Sequence, residues 1–142
     1  MHEKTMKIGV MSREAFKRRT VEIAAGRIRP DRGEPKVWFE SLKSMAQVLG
    51  GDNQELLRII HERMPESLAE LAALTGRKRG NLSRTLHTMA RYGIVDLHKA
   101  DRKVKPVVNA TRFQVQFGIY DAPVVSASPT RAESLRTTRL DG

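Results

Sequence analysis

The chain has 142 residues, of which 39% are hydrophobic and 30% charged, as is typical of a soluble globular domain with extensions. It has no cysteine, which excludes disulfides, thiolate metal sites and cysteine nucleophiles, and no apolar run of the roughly eighteen residues that a membrane span needs. The N-terminus lacks the apolar core of a secretory signal, so we expect a cytoplasmic protein.

The positive charge is concentrated in two parts of the chain. Its 26 lysines and arginines exceed its 16 acidic residues, which leaves a formal net charge of +10. Residues 77–105 hold nine basic and two acidic side chains, and residues 1–36 hold ten and five, whereas residues 37–76 hold three and six. Because neutralised phosphates release condensed counterions, such a distribution favours a nucleic acid as partner.

The N-terminal segment has the pattern of a short strand followed by a basic helix. Met6–Met11 is apolar enough for a strand, and Ser12 is a suitable N-cap for a helix that continues to about Ala25. Spacings of three and four residues predict the apolar face of that helix: Phe16, Thr20, Ile23 and Ala24. The opposite face is basic, and the pattern leaves open whether solvent or phosphate covers it: Arg13, Lys17, Arg18 and Arg19.

A loop, a strand and two helices are predicted next. Arg27–Pro35 contains two prolines and a glycine and is predicted to be a loop, and the aromatic run Lys36–Glu40 is predicted to be a strand. Ser41 can cap a short helix that stops at Gly50, and a second helix then continues to Pro65. The residues predicted to face inward are Leu42, Met45, Ala46 and Leu49 in the first helix, and Leu56, Leu57, Ile60 and Met64 in the second.

Two further helices are separated by a tight turn. Ser67 and Glu70 form a capping box, in which the serine oxygen accepts from the amide of Glu70 while the glutamate is expected to accept from the amide of Ser67. The first helix is predicted over Leu68–Leu74 and stops at a Thr-Gly turn. The second is predicted over Lys78–Arg91, with an apolar stripe that faces the core: Leu82, Leu86 and Met89.

The sequence after these helices alternates as strands do. Ile94–Leu97 and Val104–Asn109 flank a charged tip, Lys99–Lys103, and Pro106 should lie on an edge or outside the ladder. Phe113–Phe117 is predicted to be a further strand. We assign residues 1–35 to an N-terminal basic arm and helix, residues 36–118 to one domain, and residues 119–142 to a disordered tail rich in small and polar residues.

This order of elements predicts an α+β, mostly helical winged helix-turn-helix. A DNA-reading helix buries one face and presents polar and cationic side chains on the other, and no acidic residue occurs between Arg77 and Tyr92. The predicted DNA-binding residues are Arg77, Lys78, Arg79, Asn81, Ser83, Arg84 and His87 in and before the helix, and Arg102 and Lys103 in the wing.

The run SLAELAALTGRKRGNLSRTLHTMARYGIVDL, Ser67–Leu97, resembles the helix-turn-helix core of MarR/ArsR-type bacterial winged-helix regulators. The preceding WFESLKSMAQVL and NQELLRII resemble a narrower group that includes TumA-like antitoxins of toxin–antitoxin pairs. The resemblance covers roughly Lys36–Phe117, and it implies that the positions matching Arg77–His87 face double-stranded DNA. We expect a sequence-specific repressor or autorepressor. We also expect a homodimer, because one reading helix covers too little sequence for useful specificity, although the tail has no obvious dimerisation helix.

Three other functions are weighed against this one. An enzyme is disfavoured because the four histidines are scattered and no nucleophile elbow or phosphate loop is present, so we expect no catalytic residue, metal or cofactor. An antitoxin whose main role is to bind and neutralise a toxin protein could use the acidic block 37–76 or the tail. RNA recognition usually needs exposed aromatic residues, and aromatics are only 5% of this chain.

Overall fold

The computed structural model describes residues 4–119. In this range the chain forms an α+β fold with five helices and five strands, and it contains both a parallel and an antiparallel sheet. The elements, in chain order, are β1 (Thr5–Val10), α1 (Arg13–Ala24), β2 (Val37–Phe39), α2 (Leu42–Leu49), α3 (Asp52–Arg63), α4 (Leu68–Thr75), α5 (Arg79–Arg91), β3 (Val95–Ala100), β4 (Lys103–Val108) and β5 (Arg112–Gln116). The tail predicted at 119–142 lies outside the described residues, apart from Ile119.

The first sheet is parallel and has the order β2-β1-β5. Its central strand, β1, pairs with β2 along three residues, from Ile8 opposite Val37 onward, and with β5 along five residues, from Thr5 opposite Arg112 onward. A side chain at Gly9 would collide with the ring of Trp38 on β2, so glycine allows these two strands to approach. Part of the segment assigned to an N-terminal arm thus supplies the middle strand of a sheet, while the domain boundaries themselves stay a prediction.

The helix predicted after Ser12 is confirmed as α1, with the Ser12 hydroxyl accepting from the amide of Ala15 at 3.2 Å. Its predicted faces are wrong in part. Phe16 is exposed on the supposed apolar face, and Thr20 and Ala24 are exposed with it. Arg19 was expected on the open face, yet its side chain is only 10% exposed. The loop after α1 brings Glu34 to Arg19 as a carboxylate partner, and the guanidinium lies 5.4 Å from the centroid of the Trp38 ring. Both contacts offset the free-energy cost of removing the cation from water.

Both helices predicted between Ser41 and Pro65 are confirmed as α2 and α3. The Ser41 hydroxyl caps α2 by accepting from the amide of Ser44 at 3.0 Å. The inward residues of α3 are buried as predicted, with the exception of Met64, which is 64% exposed. Met64 follows the last residue of α3 and adopts a left-handed backbone (φ 43°), so its side chain leaves the helical stripe.

The capping box at the start of α4 differs from the prediction at one bond. The Ser67 hydroxyl accepts from the amide of Glu70 at 3.1 Å, as expected. The Glu70 carboxylate accepts from the amide of Glu66 at 3.0 Å, one residue before the predicted donor. At the other end, Gly76 closes α4 in the left-handed region (φ 74°), which allows the tight turn into α5.

The strands β3 and β4 form an antiparallel hairpin with a two-residue turn at Asp101 and Arg102. Both turn residues have positive φ, 50° and 66°, as in the type I′ turns that join twisted strands. Pro106 pairs opposite Leu97, and each strand of this two-stranded sheet is an edge, as a proline requires. The strand predicted at 113–117 is confirmed as β5, and its partner is β1 rather than the hairpin.

One apolar core joins the two sheets and the helices. It contains Ile8 from β1, Phe39 from β2 and the inner faces of α3, α4 and α5. Tyr92, which ends α5, stacks on Phe39 with a centroid distance of 4.2 Å, so the end of α5 is packed against the parallel sheet. Among residues 4–119, no helix has the length and apolar character to cross a bilayer.

Candidate nucleic-acid interface

The inner face of α5 fixes the helix on the body of the protein. Leu82, Leu86 and Met89 are all fully buried, together with Leu71 of α4. Full burial of a side chain of this size contributes roughly 1.5–3 kcal/mol. The orientation of α5 is therefore determined by packing, and its opposite face is free to make specific contacts.

The outer face of α5 is polar and basic. Gly80, Arg84, His87 and Arg91 follow each other at spacings of three and four residues and are all exposed, so they form one stripe opposite the buried leucines. Arg91 was not among the predicted site residues, although its spacing from Arg84 and His87 was a signal for it. The predicted residues at the start and side of the helix have these exposures: Lys78, Arg79 and Asn81 are exposed and Ser83 is half-buried.

Local hydrogen bonds orient part of this face. The Nδ1 atom of His87 donates to the carbonyl oxygen of Ser83 at 2.7 Å. That bond leaves Nε2 directed away from its own helical turn, as an acceptor in the neutral ring. Thr85 donates to the Asn81 side-chain oxygen at a long 3.5 Å, which leaves the Asn81 amide able to bind a base edge.

Arg77 differs from the other predicted site residues because the protein itself binds its guanidinium. Nη2 donates to the carbonyl oxygen of Asp52 at 2.7 Å, and Nη1 donates to the Asn53 side-chain oxygen at 3.2 Å. Its backbone amide donates to the Thr75 hydroxyl at 3.2 Å. The turn between α4 and α5 is thereby attached to the start of α3. These partners could not be predicted from local sequence patterns, since they lie 24 and 25 residues away.

The hairpin that follows α5 in the sequence carries further cations, and its tip is exposed to solvent. Arg102 and Lys103 are both exposed, and Arg102 occupies the second position of the turn. A non-glycine residue in the left-handed region costs of order 1 kcal/mol, so the tip keeps an arginine at an energetic cost. Lys105 is tied to the body of the protein by an ion pair with Glu66 at 3.2 Å.

Within residues 4–119, the cations of α5 form no ion pair with a carboxylate. Ion pairs of the described residues include those of Arg13, Arg19, Arg27 and Arg58. Arg58 on α3 shows the contrast, because it lies between two carboxylates, Glu55 and Glu62. A face of unpaired cations keeps its full positive field and is available to phosphates.

Comparison with known proteins gives a partial and a distant match. Residues 48–115 match the model of the HVO_A0114 family. This segment begins at the end of α2 and ends in β5, so it contains α3, α4, α5 and the hairpin. No curated protein matches the chain. A solved structure described as the predicted DNA-binding transcriptional regulator from E. coli is similar at 13% identity and a TM-score of 0.41, covering 89% of this chain and 96% of that chain.

Proposed function

We propose that the protein is a sequence-specific DNA-binding transcription regulator with a winged helix-turn-helix of the MarR/ArsR type. The observation that carries this proposal is the division of α5 into a fully buried apolar face and an exposed face of cations, which have no carboxylate partner among the described residues. The order of α3, α4, α5 and an antiparallel hairpin supports it, since a helix pair followed by a basic hairpin suits insertion into a groove.

In the proposed mechanism, α5 enters the major groove of double-stranded DNA. Arg84 and Asn81 have the side chains that form bidentate bonds with guanine and adenine, respectively. The remaining cations bind phosphates or base edges, and they include the wing residues Arg102 and Lys103. The contacts proposed for the start and side of the helix involve Lys78, Arg79, Ser83 and His87. Arg77 acts mainly as a positioning residue, because its guanidinium is held by α3.

We further propose that the protein binds as a homodimer and represses transcription by occupying its operator. One α5 covers too few base pairs for useful specificity, and a two-fold pair would read half-sites about 34–36 Å apart. We predict that the chain has no enzymatic activity.

The proposal is tested by binding of the purified protein to its own upstream DNA and to random DNA of equal length across a salt series. We expect the upstream fragment to remain bound near physiological salt while random DNA dissociates, because base contacts do not depend on counterion release. Equal affinity for both fragments at every salt concentration would leave only nonspecific attraction and would overturn the proposal.

Gly80 provides a test that separates DNA contact from folding. A Cβ atom at Gly80 would meet no atom of the protein within 4 Å, and glycine has poor helix propensity. We therefore expect Gly80→Ala to raise the free energy of unfolding by about 0.5–1 kcal/mol, measured by urea denaturation. If DNA approaches the backbone here, the same variant will bind its operator more weakly despite being more stable. Unchanged affinity would place Gly80 outside the contact.

The second candidate is an antitoxin that chiefly binds and neutralises a toxin protein. The acidic block 37–76 was the surface suggested for a basic toxin, but most of its carboxylates have partners within the chain. Ion pairs join Glu40 to Arg13, Glu66 to Lys105, and both Glu55 and Glu62 to Arg58. This neutralisation favours DNA over a basic protein as the main partner. Co-purification with the product of a neighbouring reading frame would support the antitoxin function.

A further inference from the structure

The outer edge of β5 is an open strand edge at the end of the described chain. β5 pairs with β1 on one side, and within residues 4–119 nothing pairs with its other side. Val115 on this strand is 43% exposed, and Phe117 just after it is 55% exposed. An open edge of this kind presents a row of backbone donors and acceptors together with apolar side chains.

The other strand edges of the described fold carry features that hinder pairing. β2 is only three residues long and follows Pro35 closely. The hairpin strand β4 contains Pro106 and two lysines, and β3 carries Asp96 and Lys99. Short strands, proline and charge are the usual protections of an edge. β5 has five residues without proline, and its one charged residue, Arg112, lies at its start. The unprotected edge is therefore the exception in this fold.

We propose that β5 is the dimer interface, where it pairs antiparallel with β5 of a second copy of this chain. With Val115 on the two-fold axis, Phe113 of one copy lies opposite Phe117 of the other, and Gln114 lies opposite Gln116. Arg112 then faces Gly118, so the register places no like charges opposite each other. Aromatic pairs across strands are stabilising, and amide side chains can bond to each other, so the strand is complementary to itself.

The face of β5 that carries Phe113 and Val115 is already apolar. Phe113 and Val115 line a pocket of about 570 Å³ beneath β5, whose other wall is formed by Met45 and Leu49 of α2 and Leu57 of α3. Pairing at the edge would continue this apolar surface across the two-fold axis. The sequence beyond Ile119 offers a poorer occupant, since its one apolar pair, Val124 and Val125, directly follows a proline and no alternating run occurs. A second copy is therefore the occupant that fits the edge.

This inference rests on the proposed two-fold binding of DNA, and its test is made in the absence of DNA. The full-length protein and its variants are examined by sedimentation equilibrium. We expect the wild type to be a dimer, and Val115→Lys to weaken self-association by about tenfold or more, because two lysines would face each other on the axis. Val115→Asp should weaken it similarly, and mixing the two variants should restore a heterodimer.

Val21→Lys is the matched control, since Val21 is a valine on α1 that is 60% exposed. This variant should dimerise as the wild type does. A monomeric wild type, or a Val115→Lys variant that dimerises normally, would overturn the proposed interface. The outcome is separate from the function: a dimer that depends on residue 115 but lacks DNA specificity would keep the interface and reject the regulator, and the reverse result would keep the regulator.

Discussion

Replacement of Arg84 by alanine is expected to weaken binding to the specific operator by about 1–3 kcal/mol, while affinity for random DNA changes much less. Arg84 lies in the middle of the exposed stripe of α5, and no carboxylate in residues 4–119 pairs with it, so its guanidinium is available for a bidentate contact with guanine. The measurement is a titration of labelled operator and random DNA at one salt concentration. The loss of discrimination, rather than the loss of affinity, is the informative quantity.

Lys103→Ala is the matched variant for this experiment. Lys103 is exposed beside the hairpin tip and is expected to contact phosphates, which carry no sequence information. Its removal should weaken binding to all sequences alike and reduce the slope of log K against log salt by about one. If both variants lowered specific and random binding equally, α5 would not be the element that reads the sequence.

Replacement of Ile8 by alanine is expected to lower the free energy of unfolding by about 2–5 kcal/mol. Ile8 is fully buried on the central strand β1, and its side chain belongs to the core that also contains the inner residues of α5. A small domain has only about 5–15 kcal/mol of stability, so this single change could remove a large part of it. Urea denaturation followed by circular dichroism measures the effect.

Ile28→Ala provides the control, because Ile28 belongs to the same N-terminal segment and is 41% exposed. It should cost well under half as much as Ile8→Ala, since less apolar surface is lost from a packed site. This pair of variants also tests the predicted separation of residues 1–35 from the rest. An independent arm would leave unfolding of the remainder unchanged in both variants, contrary to our expectation.

The sequence predicted local features of this fold well because they depend on nearby residues. The caps at Ser12 and Ser41 and the buried stripe of α5 follow from side-chain chemistry and helical spacing, and all are present. The partners of β5 and Arg77 were not predictable in the same way. β5 pairs with a strand at the other end of the chain, and Arg77 bonds to the start of α3. Such pairings depend on the complete tertiary arrangement.

The candidate site shows the same division between local and distant causes. The exposed cations of α5 were identified from the lack of acidic residues and the position of the apolar stripe, and the structure places Arg84 and His87 on the outer face. On α1, the same kind of argument failed at Arg19, because a glutamate fifteen residues away covers it. Helical spacing shows which residues share a face, but it does not show what another segment brings to that face.

The pairing of β1 with β5 also determines the order in which the protein can fold during synthesis. Thr5 leaves the ribosome 107 residues (112 − 5) before its partner Arg112. At about 5–20 residues per second, several seconds pass between the synthesis of β1 and that of β5. The helices α3, α4 and α5 follow one another directly along the chain and can assemble earlier. The element proposed to read DNA would thus form before β5 completes the parallel sheet.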